Sequence, residues 1–166
     1  MSNTQFSDLE GLKIAVEMER RGGDFYRRTA KVATNPKTVE LLEALARDEE
    51  IHEKEFHSLA AQLADADLAN EVYDEETSAY LSAVAADVVF QKGLMALVKD
   101  QGYERPESIL TQAIESEKDA IIFYGEMIEQ ARMPKAAVAF REIVRQEKTH
   151  LAKLSRQLLA LLEEAN

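Results

Sequence analysis

Two segments of the sequence repeat one pattern of side chains that can bind metal ions. In each segment a glutamate precedes a histidine by three residues, and another glutamate lies thirty residues upstream. The two sets are Glu19, Glu49 and His52, and Glu117, Glu147 and His150, and an offset of 98 residues superposes them. Carboxylates and imidazoles are suitable ligands for iron, manganese and zinc, and one carboxylate can bridge two ions. We therefore predict that these six residues bind two metal ions.

The residue types and their spacing support a paired metal site in a helical core. Burying an unpaired carboxylate costs several kcal/mol, whereas two divalent ions would neutralise four of them. The Glu-x-x-His spacing places both side chains on one helix face, one turn apart. Each half of the repeat would then supply a terminal glutamate, a bridging glutamate and a terminal histidine. We expect iron at both positions, and manganese and zinc fit the same ligands.

Composition favours an all-α protein. The chain of 166 residues contains 6 Gly, 3 Pro and no Cys, and 46% of its residues are hydrophobic. We expect one domain over residues 1–166. The net charge of −11 argues against nucleic acid and anionic membranes as partners. The lack of cysteine excludes disulfides and thiolate iron sites from this sequence.

Capping signals and apolar spacing predict the helices that would position the ligands. Ser7-x-x-Glu10 is a capping box, and Pro36, Pro106 and Pro134 each stand where a helix should begin. We predict helices over about 7–33, 36–63, 106–131 and 134–163. The second helix carries an apolar seam with alternating spacings of three and four, and Glu49 and His52 occupy two of its positions. These two side chains should therefore point into the core.

The 98-residue offset also aligns residues that bind no metal. It pairs Phe25 with Phe123, Tyr26 with Tyr124, and Pro36 with Pro134. We interpret the chain as two duplicated helical hairpins, about 7–63 and 106–163, joined by a crossover segment of about 64–105. This organisation predicts a four-helix bundle with a single long crossover, as in ferritin-like folds.

The crossover segment lies outside the repeat. Its first part is acidic and loop-like, and residues 77–97 are apolar enough for one or two short helices. We expect buried side chains at Tyr80, Leu81, Val84, Val88 and Val89. The apolar face of this segment could also form a subunit contact.

The sequence also contains polar residues outside the six-residue set that divide into core and surface positions. Tyr26 and Tyr124 lie seven residues after the upstream glutamates and on the same helix face, so they are either core aromatics or catalytic side chains that hydrogen-bond a ligand or supply an electron. His57 lies in a charged stretch and should be a surface residue. Glu17 and Glu115 sit off the ligand face, which favours surface ion pairs.

The chain resembles the rubrerythrin group of the ferritin-like superfamily, and specifically its stand-alone diiron domains without rubredoxin. The resemblance rests on four segments: Glu19-Arg-Arg-Gly22-Gly-Asp-Phe25-Tyr26, Asp48-Glu49-Glu-Ile-His52, Glu117-Lys-Asp-Ala120-Ile-Ile-Phe123-Tyr124 and Glu147-Lys-Thr-His150. It implies Glu19 and Glu117 as terminal carboxylates, Glu49 and Glu147 as bridges, and His52 and His150 as terminal nitrogen ligands. It also implies a homodimer or larger assembly and reduction of hydrogen peroxide.

Two departures from the family pattern bear on the reaction. With no cysteine here, electrons must come from a separate donor. Typical rubrerythrins carry an extra glutamate where this chain has Ala120, and the symmetric ligand set is closer to the bacterioferritin pattern. We expect a cytoplasmic diiron redox protein that reduces peroxide or oxygen. The alternatives are a ferroxidase and a non-enzymatic protein in which the metals only hold the bundle together.

Overall fold

The computed structural model describes residues 6–68, 71–89 and 106–165, without the side chains of 87–89. These residues form five helices: α1 (Asp8–Val32), α2 (Pro36–Leu63), α3 (Glu75–Val89), α4 (Pro106–Gln130) and α5 (Pro134–Glu164). The four long helices match the predicted ones to within two residues at each end. Among the helices described, none has the length and apolar character that a bilayer-spanning segment requires.

Local signals in the sequence set the helix boundaries. The Ser7 hydroxyl accepts a hydrogen bond from the backbone N–H of Glu10, with a donor–acceptor distance of 3.2 Å, and so caps α1. The Asn35 side chain caps α2 in the same way by accepting from the backbone N–H of Thr38 at 3.0 Å. Pro36 and Pro134 each occupy the first helical turn, where a missing N–H carries no penalty.

The directions of the helices follow from two hydrophobic clusters separated by the six acidic and histidine side chains. The first hydrophobic cluster includes Met18, Phe56, Phe123 and Phe140. The second includes Phe25, Leu45, Ile114 and Leu154. Along the chain, α1 and α5 pass from the first cluster to the second, whereas α2 and α4 pass from the second to the first. Since α2 and α4 run parallel, their connection must return along the bundle. The chain is a ferritin-like four-helix bundle of two hairpins with a long crossover.

Helix α3 belongs to the crossover segment and packs against α1 and α4. Its inward face carries Ser78, Leu81 and Ala85. The prediction that Tyr80 is buried was wrong, because this residue lies on the opposite face and is 48% exposed. Val84 is partly buried against the first hydrophobic cluster. The expected burial of Val88 and Val89, and any second short helix before residue 97, lie outside the described residues.

A buried carboxylate ties the start of α1 to the turn between α4 and α5. Asp8 is fully buried. It accepts hydrogen bonds from the backbone N–H groups of Arg132 and Met133 at 3.0 and 2.6 Å, and from the hydroxyl of Tyr73. The first hairpin, the crossover segment and the second hairpin therefore meet at one residue.

Candidate metal centre

The six side chains singled out by the repeat meet in the middle of the bundle. α1 contributes Glu19, α4 contributes Glu117, and α2 and α5 each contribute one Glu-x-x-His pair. None of the six is more than 4% exposed, and they are Glu19, Glu49, His52, Glu117, Glu147 and His150. All four helices of the bundle thus supply at least one member of this carboxylate–histidine cluster.

Ligand-type atoms in the cluster fall into two overlapping groups. The first consists of Glu19, Glu49, His52 and Glu147, and the second of Glu49, Glu117, Glu147 and His150. Within each group one ligand atom per residue lies within 4.8 Å of the others. Glu49 and Glu147 belong to both groups, whereas the other four residues belong to one each. This is the arrangement that two neighbouring ions bridged by two carboxylates would need.

Both histidines present the same ring nitrogen to the carboxylates. His52 Nδ1 lies 3.1 Å from a carboxylate oxygen of Glu19 and 3.0 Å from one of Glu147. His150 Nδ1 lies 3.0 Å from Glu147 and 3.4 Å from Glu49. The two imidazole rings are stacked, with centroids 5.6 Å apart and planes inclined by 20°. Two equivalent nitrogens therefore face the two groups of carboxylates.

The outer nitrogen of each imidazole contacts a residue of the other hairpin. His52 Nε2 lies 2.9 Å from Gln146 Oε1, and His150 Nε2 lies 3.2 Å from Asp48 Oδ2. Sequence reasoning assigned no role to Asp48 or Gln146. A signal was present, since each residue precedes its hairpin's histidine by four and the two are related by the 98-residue offset.

The two tyrosines bind the carboxylates of the opposite hairpin. Tyr26 donates its hydroxyl hydrogen to Glu117, and Tyr124 donates its own to Glu19. Both rings are buried, Tyr26 in the second hydrophobic cluster and Tyr124 in the first. The tyrosines are therefore core aromatics whose hydroxyl groups also hydrogen-bond Glu117 and Glu19. That they supply electrons stays a prediction.

Burial and mutual repulsion hold protons on part of the carboxylate set. Desolvation, and next the charge of Glu147, raise the pKa of Glu49 well above its ordinary value, and the same two causes raise that of Glu117. Burial would also raise the pKa of Glu147, but the hydrogen bond from His150 and the close approach of His52 outweigh it and lower the pKa. Desolvation and the nearby charges of Glu117 and Glu19 raise the pKa values of Tyr26 and Tyr124, so both phenols stay protonated at neutral pH.

Carboxylate neighbours dominate the behaviour of the imidazoles. Burial alone would lower the pKa of His52, yet the carboxylates of Glu147, Glu19 and Glu49 around Nδ1 raise it far above the ordinary value. The pKa of His150 is also raised, since Glu147 outweighs the effect of burial. The raised pKa values favour protonated, positively charged imidazoles in the metal-free cluster.

The donor set fits divalent metal ions. Glu147 Oε1 is buried and receives no hydrogen bond of good geometry, although His52 Nδ1 lies 3.0 Å away. A buried carboxylate oxygen without a hydrogen-bond donor is costly unless a cation satisfies it. Oxygen and imidazole ligands with shared carboxylates suit iron and manganese, and they also accept zinc. Among the six residues, Glu147 therefore has the buried oxygen that a bound cation would stabilise most clearly.

Residues predicted to lie outside the site do so. His57 is exposed. Glu17 pairs with Arg20 and Arg21, and Glu115 pairs with Lys118 at 2.7 Å. These contacts match the surface ion pairs that the sequence predicted.

Comparison with known proteins agrees with this geometry. A family model described as Rubrerythrin matches residues 10–107 and again residues 108–165. The matches begin at residues 10 and 108, that is 98 residues apart, which is the offset of the internal repeat. Comparison with curated proteins and with solved structures gives no match. The matched segments cover most of the chain, and the chain therefore belongs to the rubrerythrin family.

Proposed function

We propose that the carboxylate–histidine cluster binds two iron ions and reduces hydrogen peroxide or oxygen, with electrons from a separate donor. One observation carries the proposal: two four-residue groups of potential ligands share Glu49 and Glu147. Membership of the rubrerythrin family supports it. In this arrangement Glu19 and His52 would complete one metal position, and Glu117 and His150 the other.

The residues around the cluster suit a reaction protected from bulk water. When bound, an iron pair would supply a Lewis acid and the electrons for reduction. Tyr26 and Tyr124 hold the outer carboxylates through hydrogen bonds and keep their own protons at neutral pH. The two hydrophobic clusters flank the site on either side, and the burial of its six side chains would limit the access of water.

The electron donor would be a second molecule. The 166 residues include no cysteine, so this sequence cannot form a thiolate iron centre of its own. Each turnover of peroxide to two waters consumes two electrons and two protons, and an external reductant must supply the electrons.

A ferroxidase is the second candidate, and Ala120 favours it. This residue occupies the position of the additional family glutamate and packs, partly buried, against the first hydrophobic cluster. The ligand set therefore keeps its twofold symmetry, with four glutamates and two histidines. Such a symmetric site would suit oxidation of Fe(II) by oxygen as well as reduction of peroxide.

Anaerobic loading followed by a choice of oxidant distinguishes these activities. The metal-free protein is loaded with Fe(II) and mixed separately with peroxide and with oxygen, while absorbance is recorded. Faster oxidation by peroxide supports the peroxidase, and faster oxidation by oxygen supports the ferroxidase. If two iron ions bind but neither peroxide nor oxygen oxidises them, a redox function is contradicted. The metals would then only stabilise the bundle.

A neighbouring pair of glutamates provides a matched control. Glu49→Gln should abolish the rapid oxidation because Glu49 belongs to both ligand groups. Glu50→Gln should retain it, since Glu50 is exposed and pairs with Lys54 at 2.7 Å. Equal loss in both variants, or failure of the wild-type protein to bind about two irons per chain, would overturn the proposal.

A further inference from the structure

The symmetry of the cluster is broken at the two residues that contact the outer histidine nitrogens. Asp48 lies behind His150, and Gln146, its equivalent across the 98-residue offset, lies behind His52. The three ligand-type residues and the tyrosine of one half each have the same residue type at the equivalent position of the other half. At the outer nitrogens themselves, the direct partner is a carboxylate on one side and an amide on the other.

Both contacts orient the ring in the same way. Gln146 donates from its amide nitrogen to Glu142 at 3.2 Å, so its oxygen must face His52. That oxygen and the Asp48 carboxylate can only accept, so each imidazole donates from Nε2. Nδ1 of each ring is thereby directed to the ligand groups. The two contacts should position the rings equally well.

The contacts differ in charge. Asp48 is partly exposed, with 38% of its side chain accessible, but it can carry a full negative charge. A carboxylate hydrogen-bonded to the outer nitrogen of a metal-bound histidine makes the inner nitrogen a more basic ligand, and removal of such partners commonly weakens metal binding 10–100-fold. Charge-assisted hydrogen bonds of this kind are stronger than those of a neutral amide. The group containing His150 should bind a cation better than the group containing His52.

We propose that Asp48 and Gln146 make the two metal positions unequal, so that the position served by Glu117 and His150 fills first. This inference rests on the proposed metal binding and adds an order of loading to it. Asp48 acts through His150 and is a positioning residue. Repulsion between two bound cations alone would also separate two binding steps, but it would populate both positions equally at half loading.

Histidine nitrogen signals can report which position fills. The chain has three histidines, so ¹⁵N-histidine NMR gives few signals, and exposed His57 serves as an internal reference. His52→Gln and His150→Gln assign the other two. Zinc is the probe, because it is diamagnetic and not redox-active. With one zinc ion per chain, the Nδ1 signal of His150 should shift while that of His52 stays near its metal-free position.

Charge-changing variants test the cause. Asp48→Asn keeps a hydrogen-bond acceptor behind His150 and removes its charge, so the two histidine signals should shift together. Calorimetry should show that the tighter of the two zinc-binding steps is about 10–100-fold weaker in Asp48→Asn than in the wild-type protein. The double variant Asp48→Gln with Gln146→Asp should reverse the order of filling. Glu50→Gln is the control, because it removes a nearby surface charge that contacts neither histidine. This variant should keep the wild-type order of filling.

The results separate this inference from the proposed function. Parallel shifts in the wild-type protein, His52 filling first, or an unchanged order in a folded Asp48→Asn variant would overturn unequal loading while metal binding stands. If zinc and Fe(II) both fail to bind the wild-type protein, the proposed function itself fails.

Discussion

Tyr124 in the second hairpin donates a hydrogen bond to Glu19 in the first, and Tyr26 returns the contact to Glu117. The hairpins are thus held together at the centre of the bundle by two reciprocal phenol–carboxylate bonds. Both bonds join protein side chains and require no metal ion, so they stabilise the metal-free protein as well.

Removal of the Tyr124 hydroxyl should destabilise the metal-free protein. Tyr124→Phe keeps a ring packed against Phe56 and Phe140, whose centroids lie 5.5 and 5.8 Å away. It leaves Glu19 without one of its buried donors, which should lower the free energy of unfolding by about 1–3 kcal/mol. Urea denaturation measures the change. Tyr80→Phe is the control, since Tyr80 is exposed, and it should change the value by less than about 0.5 kcal/mol.

The stability of the metal-free protein should fall as pH rises from about 5 to 8. Unfolded glutamate and histidine titrate near 4.5 and 6.5, and the fold raises the pKa values of Glu49, Glu117, His52 and His150. Their contribution is full below the unfolded values and is lost as pH rises through the folded ones, because the folded state binds more protons. Glu147 acts in the opposite direction, but because its pKa is lowered on folding, its effect lies below about pH 4.5 and outside this range.

Denaturation at several pH values gives this slope. His52→Gln should flatten it, whereas His57→Gln should not, because His57 is exposed. A stability that rises with pH over this range would contradict the protonation pattern. Zinc binding at pH 7 should also release protons, which calorimetry in buffers of different ionisation enthalpy detects.

A carboxylate that belongs to both ligand groups should affect zinc binding more than a carboxylate that belongs to one. Glu147→Gln alters a residue common to both ligand groups, so it should weaken both zinc-binding steps by at least about tenfold. Glu117→Gln alters one group and should mainly weaken one step. Glu115→Gln, two residues away and paired with Lys118, should bind zinc like the wild-type protein. Equal effects of Glu117→Gln and Glu147→Gln would contradict the bridging role of Glu147.

The junction around Asp8 should be important for stability and irrelevant to metal stoichiometry. Asp8→Ala leaves the N–H groups of Arg132 and Met133 and the Tyr73 hydroxyl without their acceptor. We expect a loss of about 3 kcal/mol or more in thermal or urea unfolding, with two zinc ions still bound by the folded fraction. Asp24→Ala removes a half-exposed ion pair with Arg27 and should cost under about 1 kcal/mol.

The sequence predicts the helices and the cluster because both depend on local spacing. Caps and prolines mark the helix ends, and Glu49 and His52 replace apolar residues on a core seam. The duplicated pattern supplies the remaining members of the cluster without knowledge of the helix packing. The membership of Glu49 and Glu147 in both ligand groups then follows from the way the two hairpins meet.

Contacts that cross between hairpins were harder to predict. Asp48 and Gln146 lie off the apolar seam of their own helices, and their partners are 102 and 94 residues away in the chain. The Asp8 junction likewise depends on the approach of three segments with no repeat to align them. The burial of Tyr80 is not predictable in this way, because apolar composition alone does not reveal which face of α3 points inward.

The division of the core into two hydrophobic clusters has a consequence for the lifetime of the protein. Since each of the four long helices crosses the polar layer and places a carboxylate or histidine of the cluster there, a bound metal pair would act as a non-covalent cross-link of the whole bundle. A ligand present at a thousand times its dissociation constant stabilises a fold by about 4 kcal/mol. Resistance to proteolysis would therefore rise with metal occupancy, and chains deprived of metal would be the first to be degraded.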